Sequence, residues 1–272
     1  MHPDLVNSYN NIGYSYHHQK EFEKALEYHT KALEVRKSGY GYNHPDVATF
    51  YNNMGLVYLS QKEFKKALEY YTKALEIRKA LYGNNHPEVA NSYSDIGRVC
   101  LEQGESSQKA LEYHLKAMDM FKSVYGDNHP NIATSYINIG QVYLVQGDDR
   151  KTLEYYQKAL EIHKLVYGDN HPRIADSFAS IGKIHFKLAE LDKAIECHFK
   201  ALNIRKLVFD DHHPDVASSY MELANAFKSQ GDERNALDYC SKCLDIRKLV
   251  FGDSHNEILS VSDKIKAMGA IG

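Results

Sequence analysis

The dipeptide His-Pro recurs along this chain at His2-Pro3, His44-Pro45, His86-Pro87, His129-Pro130, His171-Pro172 and His213-Pro214, and survives in part as His255-Asn256. The spacing is 42 residues, with one step of 43. A fixed period of this size points to a solenoid, because one such unit cannot bury its own apolar face and stacks on its neighbours to do so. The stretches 3–44 and 45–86 are identical at 27 of 42 positions. The repeat predicts a single elongated domain over 1–272, with copies at 3–44, 45–86, 87–129, 130–171, 172–213 and 214–255.

One copy can be read as physics. In 45–86, Pro45 suits the first turn of a helix, where its missing N–H costs nothing, and Asp46 sets negative charge at the positive end of the helix dipole. Val47, Phe50, Tyr51, Met54, Val57 and Tyr58 keep the three-and-four spacing of one helical face, and the pattern lapses at Gln61-Lys62. This is helix A, of about four turns. A second run through Phe64, Ala67, Leu68, Tyr71, Ala74, Leu75, Ile77 and Leu81 defines helix B, which Gly83 can end. The unit is a helical hairpin and the fold class all-α.

Small residues mark where the two helices should approach most closely: Gly13, Gly55, Gly97, Gly140, Gly182 and Ala224 on helix A, against Ala25, Ala67, Ala110, Thr152, Ala194 and Ala236 on helix B. A glycine inside a helix costs roughly 1 kcal/mol relative to alanine, so its recurrence implies a packing role. Outside, Glu27/Lys31, Glu69/Lys73, Glu112/Lys116, Glu154/Lys158, Glu196/Lys200 and Asp238/Lys242 stand four apart in the favourable order and read as a solvated face.

Tyr51, Met54, Gly55, Tyr58, Ala67, Tyr71 and Ala74 resemble the tetratricopeptide repeat signature, and the resemblance covers the whole chain. The border YGxNHPxVA is similar to the 42-residue type found in kinesin light chains. The resemblance implies a right-handed α-solenoid of six helix-turn-helix repeats and a protein-interaction scaffold that holds a partner's peptide in a concave groove lined by helix A. The implied groove residues are Asn10, Asn11, Tyr14, Asn52, Asn53, Leu56, Arg98, Asn138, Gln141 and Lys183. Among them Asn11, Asn53 and Asn138 match the asparagine that grips a peptide backbone in such arrays, since an amide both donates and accepts. Asp95, Ser180 and Glu222 interrupt that ladder. No three consecutive copies supply the Lys and Asn pattern of a chaperone-tail clamp, which disfavours that ligand.

Composition narrows the remaining classes. A net charge of -3, from 33 basic and 36 acidic residues, with no basic run, argues against a nucleic-acid partner. No window approaches 18 apolar residues and no signal segment opens the chain, so a soluble, cytoplasmic protein without a membrane partner is expected. Cys100, Cys197, Cys240 and Cys243 do not follow the repeat, which fits a reducing compartment better than a disulfide framework. The border histidines recur once per copy, too far apart to share an ion, and Cys240-x-x-Cys243 falls on packing positions, so no metal is expected. No phosphate loop, nucleophile elbow or carboxylate pair appears, and we expect neither a cofactor nor an enzyme.

Residues 256–270 align with helix A but carry Lys266 at the glycine position, and read as a capping helix over the last copy. The turn in copies one, two and five holds Phe22, Phe64 or Leu191, whereas Ser107, Asp149 and Glu233 stand there elsewhere, so looser turns are expected in copies three, four and six. No cap precedes the first helix, which leaves an apolar edge. Two further readings therefore stay open: end-to-end self-association of copies, and a regulatory array that is a piece of a longer protein.

Overall fold

The computed structural model describes residues 3–104, 106–251, 258 and 261. Among these residues there are twelve helices and no strand. They are α1 (Pro3–His18), α2 (Phe22–Tyr40), α3 (Pro45–Ser60), α4 (Phe64–Tyr82), α5 (Pro87–Gln103), α6 (Ser107–Tyr125), α7 (Pro130–Gln146), α8 (Asp149–Tyr167), α9 (Pro172–Lys187), α10 (Leu191–Val208), α11 (Pro214–Gln230) and α12 (Glu233–Phe251). Odd-numbered helices are helix A of each copy and even-numbered ones helix B. The chain divides into two units, 1–146 and 147–272. Within the first, α1/α2, α3/α4 and α5/α6 pack as pairs, each helix B lies on the next helix A, and α7 lies on α6. Within the second, α8 lies on α9, α9/α10 and α11/α12 pair, and α10 lies on α11.

The His-Pro border explains how one copy is joined to the next. His44, His86, His129, His171 and His213 each accept, at ring Nδ1, the backbone N–H two residues on, at 3.1–3.2 Å. The imidazole thus caps helix A in the place where Ser, Thr, Asp or Asn usually serves, and its ring proton sits on Nε2. Four of these rings stack on the aromatic residue four positions earlier: Tyr82–His86 at 4.3 Å, Tyr125–His129 at 4.0 Å, Tyr167–His171 at 4.4 Å and Phe209–His213 at 4.0 Å between centroids. One side chain therefore closes a helix start and covers a helix end.

In copies one, two, three and five the recurrent glycine makes room for a ring. A Cβ built on Gly13 would lie 2.7 Å from His29, on Gly55 2.9 Å from Tyr71, on Gly97 2.9 Å from His114 and on Gly182 2.7 Å from His198. The atoms such a Cβ would strike belong to these rings and not to the alanines at Ala25, Ala67, Ala110 and Ala194, one helical turn earlier, which the sequence set against the glycines. In copy six the pairing differs: Cys240 replaces the ring, and Ala224 occupies the glycine position and packs with it.

The rings of His29, His114 and His198 are buried at 1, 2 and 1% exposure, and their Nδ1 atoms have no hydrogen-bond partner. Burial lowers each pKa from 6.5 to about 4.

Between copies, helix B sends a buried polar group into the next helix A. Arg78 Nη1 donates to Ser92 Oγ at 2.7 Å, Arg205 Nη1 to Ser219 Oγ at 2.8 Å, and His163 Nδ1 meets Ser177 Oγ at 3.1 Å. Where Phe50 replaces the serine, Arg36 pairs instead with Asp46 at 2.6 Å. Desolvating a guanidinium is costly, and these pairings engage its terminal nitrogens, while Nε of Arg36 and of Arg205 is buried without a hydrogen-bond partner.

The exposed ladder forms in five of its six predicted pairs, at 2.5–2.6 Å. Lys116 lies over the Tyr93 ring instead. Water screens these exposed pairs, so they add little to stability. The hairpin turns place one residue at positive φ: Gly104, Gly147 and Gly231 in copies three, four and six, but Lys20, Lys62 and Ala189 in copies one, two and five. A side chain in that region costs about 1–2 kcal/mol. Of the predicted capping helix at 256–270, most lies outside the described residues. Within it, Ile258 and Val261 are helical and buried, and Val261 clusters with Cys243 and Ile246 of α12.

Two outcomes follow from the glycine contacts. Gly182→Ala should destabilise the chain by about 1–2 kcal/mol, overpacking against His198 outweighing the gain in helix propensity. Adding His198→Cys, the copy-six pairing, should recover part of that loss, read as a coupling energy in denaturant unfolding. Acid should weaken the fold in a defined window. The folded-state pKa values of the three histidines lie below the unfolded value, so their contribution is fully present above pH 6.5 and is lost as pH falls toward 4. Each can contribute up to about 1.4 kcal/mol per pH unit in that window. His114→Tyr, borrowing the Gly55/Tyr71 pairing, should reduce the slope by about one proton.

Candidate functional site

In the first unit, successive A helices bring equivalent positions side by side. A cleft of about 430 Å³ lies on the face shared by α3, α5 and α7, with Asn52, Asn91, Asp95, Arg98, Thr134 and Asn138 among its lining residues. Its sides are polar because helix A turns its apolar residues toward helix B and leaves these positions outward. Arg78 reaches in from α4, where Nη1 donates to Asn52 Oδ1 at 3.3 Å as well as to Ser92, and Nε lies 3.4 Å from Glu88.

Arg98 is the half-exposed cation of the cleft, at 44%. Its Nη2 donates to the Tyr71 hydroxyl at 3.1 Å and to Asp95 Oδ1 at 3.2 Å. Burial pushes the Tyr71 hydroxyl and the Asp95 carboxyl up, and Arg98 opposes both shifts. Asn138 is half-buried on α7 and makes no hydrogen bond among the described residues. The wall therefore offers amide donors and acceptors beside the guanidiniums of Arg78 and Arg98, the chemistry that pairs with backbone amides and carboxylates.

The ten predicted residues separate into distinct environments. Asn52, Arg98 and Asn138 meet at the cleft. Asn10, Tyr14 and Asn53 form a closed network between copies one and two: Asn53 Nδ2 donates to Asn10 Oδ1 at 2.8 Å, and the Tyr14 hydroxyl donates to Asn53 Oδ1 at 2.7 Å. Asn53 is 4% exposed, and burial raises the Tyr14 pKa. Asn11 and Gln141 are exposed and Leu56 is half-buried. Lys183 belongs to the second unit, where it pairs with Glu222 at 3.1 Å.

Asn91 and Arg78 also line the cleft and were not among the predicted residues. For Arg78 a signal existed, since arginine recurs at Arg36, Arg78, Arg205 and Arg247. Among the described residues no group of three or more His, Cys, Asp or Glu is placed to hold a metal ion, and no helix is long and apolar enough to cross a membrane.

A family model described as tetratricopeptide repeat matches residues 4–80, 46–108, 105–164, 139–206 and 180–249. No curated protein matches the sequence. Among solved structures, the BtubC (BKLC) protein of P. vanneervenii is 19% identical, with 86% of this chain and 94% of that one covered and a TM-score of 0.75. A putative kinesin light chain from Podosopora anserina with nearly identical repeats is 18% identical, covering 76% of this chain and 98% of its own, at a TM-score of 0.66. A signal transduction ATPase with numerous domains and a tetratricopeptide repeat sensor, from Pyrococcus horikoshii, is 18% identical at a TM-score of 0.74; the match spans 98% of this chain but 39% of that one. At these identities the likeness is one of fold.

The two asparagine environments should separate experimentally. Asn53→Ala should cost about 1–3 kcal/mol in denaturant unfolding, because Asn10 and Tyr14 both lose their partner. Asn138→Ala, with no such partner to orphan, should stay within about 0.5 kcal/mol of the parent.

Proposed function

The chain belongs to the tetratricopeptide repeat family, and from that premise we propose that it is a non-enzymatic scaffold that takes an extended peptide segment of a partner protein in the cleft shared by α3, α5 and α7. Repeats of this family generally mediate protein–protein interactions. The observation that carries the finer reading is the cleft itself: amides from three successive A helices surround Arg98, Asn52 and Asn91 being met by Arg78 and Glu88 while Asn138 makes no hydrogen bond among the described residues, unlike the closed Asn10–Tyr14–Asn53 network. Asn52, Asn91 and Asn138 suit an extended backbone irrespective of its sequence, while Arg98 selects for a carbonyl-rich or acidic group beside it. Asn53 supports the wall from within, and Asn11, Gln141 and Lys183 lie outside the cleft lining.

Selection of a displayed peptide library on the intact chain tests this. Selected peptides should lose affinity by about tenfold on Arg98→Ala, the loss expected for a hydrogen bond to a charged group, and by a smaller factor on Asn138→Ala. Unchanged affinity in the double variant would remove the cleft as the binding site.

A further inference from the structure

One aromatic position of helix A lies between two lysines, one on the preceding helix B and one on its own. In copy two, Lys37 donates to the Tyr51 hydroxyl at 2.7 Å, and Lys73 lies 5.8 Å from the ring centroid. In copy three, Lys79 and Lys116 stand 5.3 and 4.3 Å from the Tyr93 centroid. Burial raises the Tyr93 pKa, yet hydrogen bonds and charge from these two lysines outweigh it and leave the hydroxyl below its ordinary value. The phenol oxygen is thus an acceptor that two ammoniums share.

Copy five keeps both lysines and loses the oxygen. Phe178 stands at this position, with Lys164 at 5.2 Å and Lys200 at 5.5 Å from its centroid. Lys200 also pairs with Glu196 at 2.6 Å, whereas the Lys164 ammonium has no ion pair or hydrogen bond among the described residues. A cavity of about 260 Å³ opens beside the ring, lined by both lysines and, for its apolar part, by Ile204 and Leu207.

The equivalent pocket of copy three has the opposite character. There Lys116 faces two carboxylates, Glu112 and Asp119, and Ser123 Oγ donates to Asn85 Oδ1 at 3.1 Å, both of them lining residues. In copy five the counterparts of Asp119 and Ser123 are Asn203 and Leu207, and Leu207 is 71% exposed. Two lysines then face one carboxylate, Asp169. The sign of the lining has changed from negative to positive, and a hydrogen bond within the pocket has given way to an aliphatic side chain open to solvent.

We propose that the Lys164–Phe178–Lys200 pocket of copy five binds an acidic peptide segment of a partner protein, one carboxylate taking the place of the missing phenol oxygen and a neighbouring aliphatic side chain packing on Leu207. A carboxylate suits the place better than a neutral acceptor, because hydrogen bonds between ions are roughly twice as strong as neutral ones. The pocket lies wholly within the unit 147–272 and shares no lining residue with the cleft of α3, α5 and α7, so this site and that one stand or fall separately.

The test uses the full chain carrying Arg98→Ala, so that the cleft does not compete for an acidic probe. The probe is a labelled hexapeptide of alternating leucine and glutamate. Anisotropy should show saturable binding, with amide shifts confined to α8, α9, α10 and their connections. A hexapeptide with glutamine in place of glutamate should bind about tenfold more weakly or worse. Lys164→Gln, an exposed change checked as folded by circular dichroism, should cost about tenfold, and Leu207→Ser, the copy-three residue, a smaller factor. Phe178→Tyr, which returns the internal acceptor, should cost about fivefold while leaving the fold intact. Absence of saturable binding, equal affinity for the glutamine peptide, or unchanged affinity in both Lys164→Gln and Phe178→Tyr would overturn the proposal.

Discussion

The contact between a glycine on helix A and a ring on helix B sets the distance between the two helices, and the rest of each hairpin follows from it. Without a Cβ at Gly13, Gly55, Gly97 or Gly182, the backbone of helix A lies against the face of His29, Tyr71, His114 or His198. The alanines one turn earlier on helix B are then fully buried, and the tyrosines of helix A reach the outer rings of helix B, as Tyr51 and Tyr58 reach Tyr70. The helix pays for its glycine in propensity and recovers that loss in close packing. Three of the rings are imidazoles held neutral in an apolar site, so the same contact that compacts the hairpin makes it sensitive to acid.

Much of this architecture was legible in the repeat. The bounds of α3 at Pro45 and Ser60 coincide with the proline start and the lapse at Gln61-Lys62, because both signals act locally on the backbone. The imidazole cap was harder to see. A histidine before proline reads as a loop residue until its ring is found both accepting a backbone N–H and lying on the aromatic residue four positions earlier. Its recurrence with that aromatic in the YGxNHP border was the available sign.

The candidate site was legible in part, and the asparagines show why. Asn11, Asn53 and Asn138 hold one repeat position, yet the first is exposed, the second is closed off by Asn10 and Tyr14, and the third stands in the cleft. Equivalent positions share a helix face, but a side chain's partners come from the neighbouring copies. Tyr14 becomes Leu56 in copy two and Arg98 in copy three: Tyr14 hydrogen-bonds the asparagine of the next copy, whereas Arg98 bonds Asp95 of its own. Periodicity therefore located the wall without saying which amides on it were already engaged. The junction arginines carry the same lesson, since Arg78 enters the cleft only because Ser92 and Asn52 lie within reach of Nη1.

Copy six changes both residues at the closest point of its two helices, with Ala224 where the others have glycine and Cys240 where they have a ring. A helix A taken from this copy would bring a methyl group into collision with the ring of copy one, two, three or five. The smallest piece that can be duplicated, shuffled or grafted within this array is therefore the whole hairpin. A recombination breakpoint is tolerated at the His-Pro border and penalised in the turn between two helices of one copy.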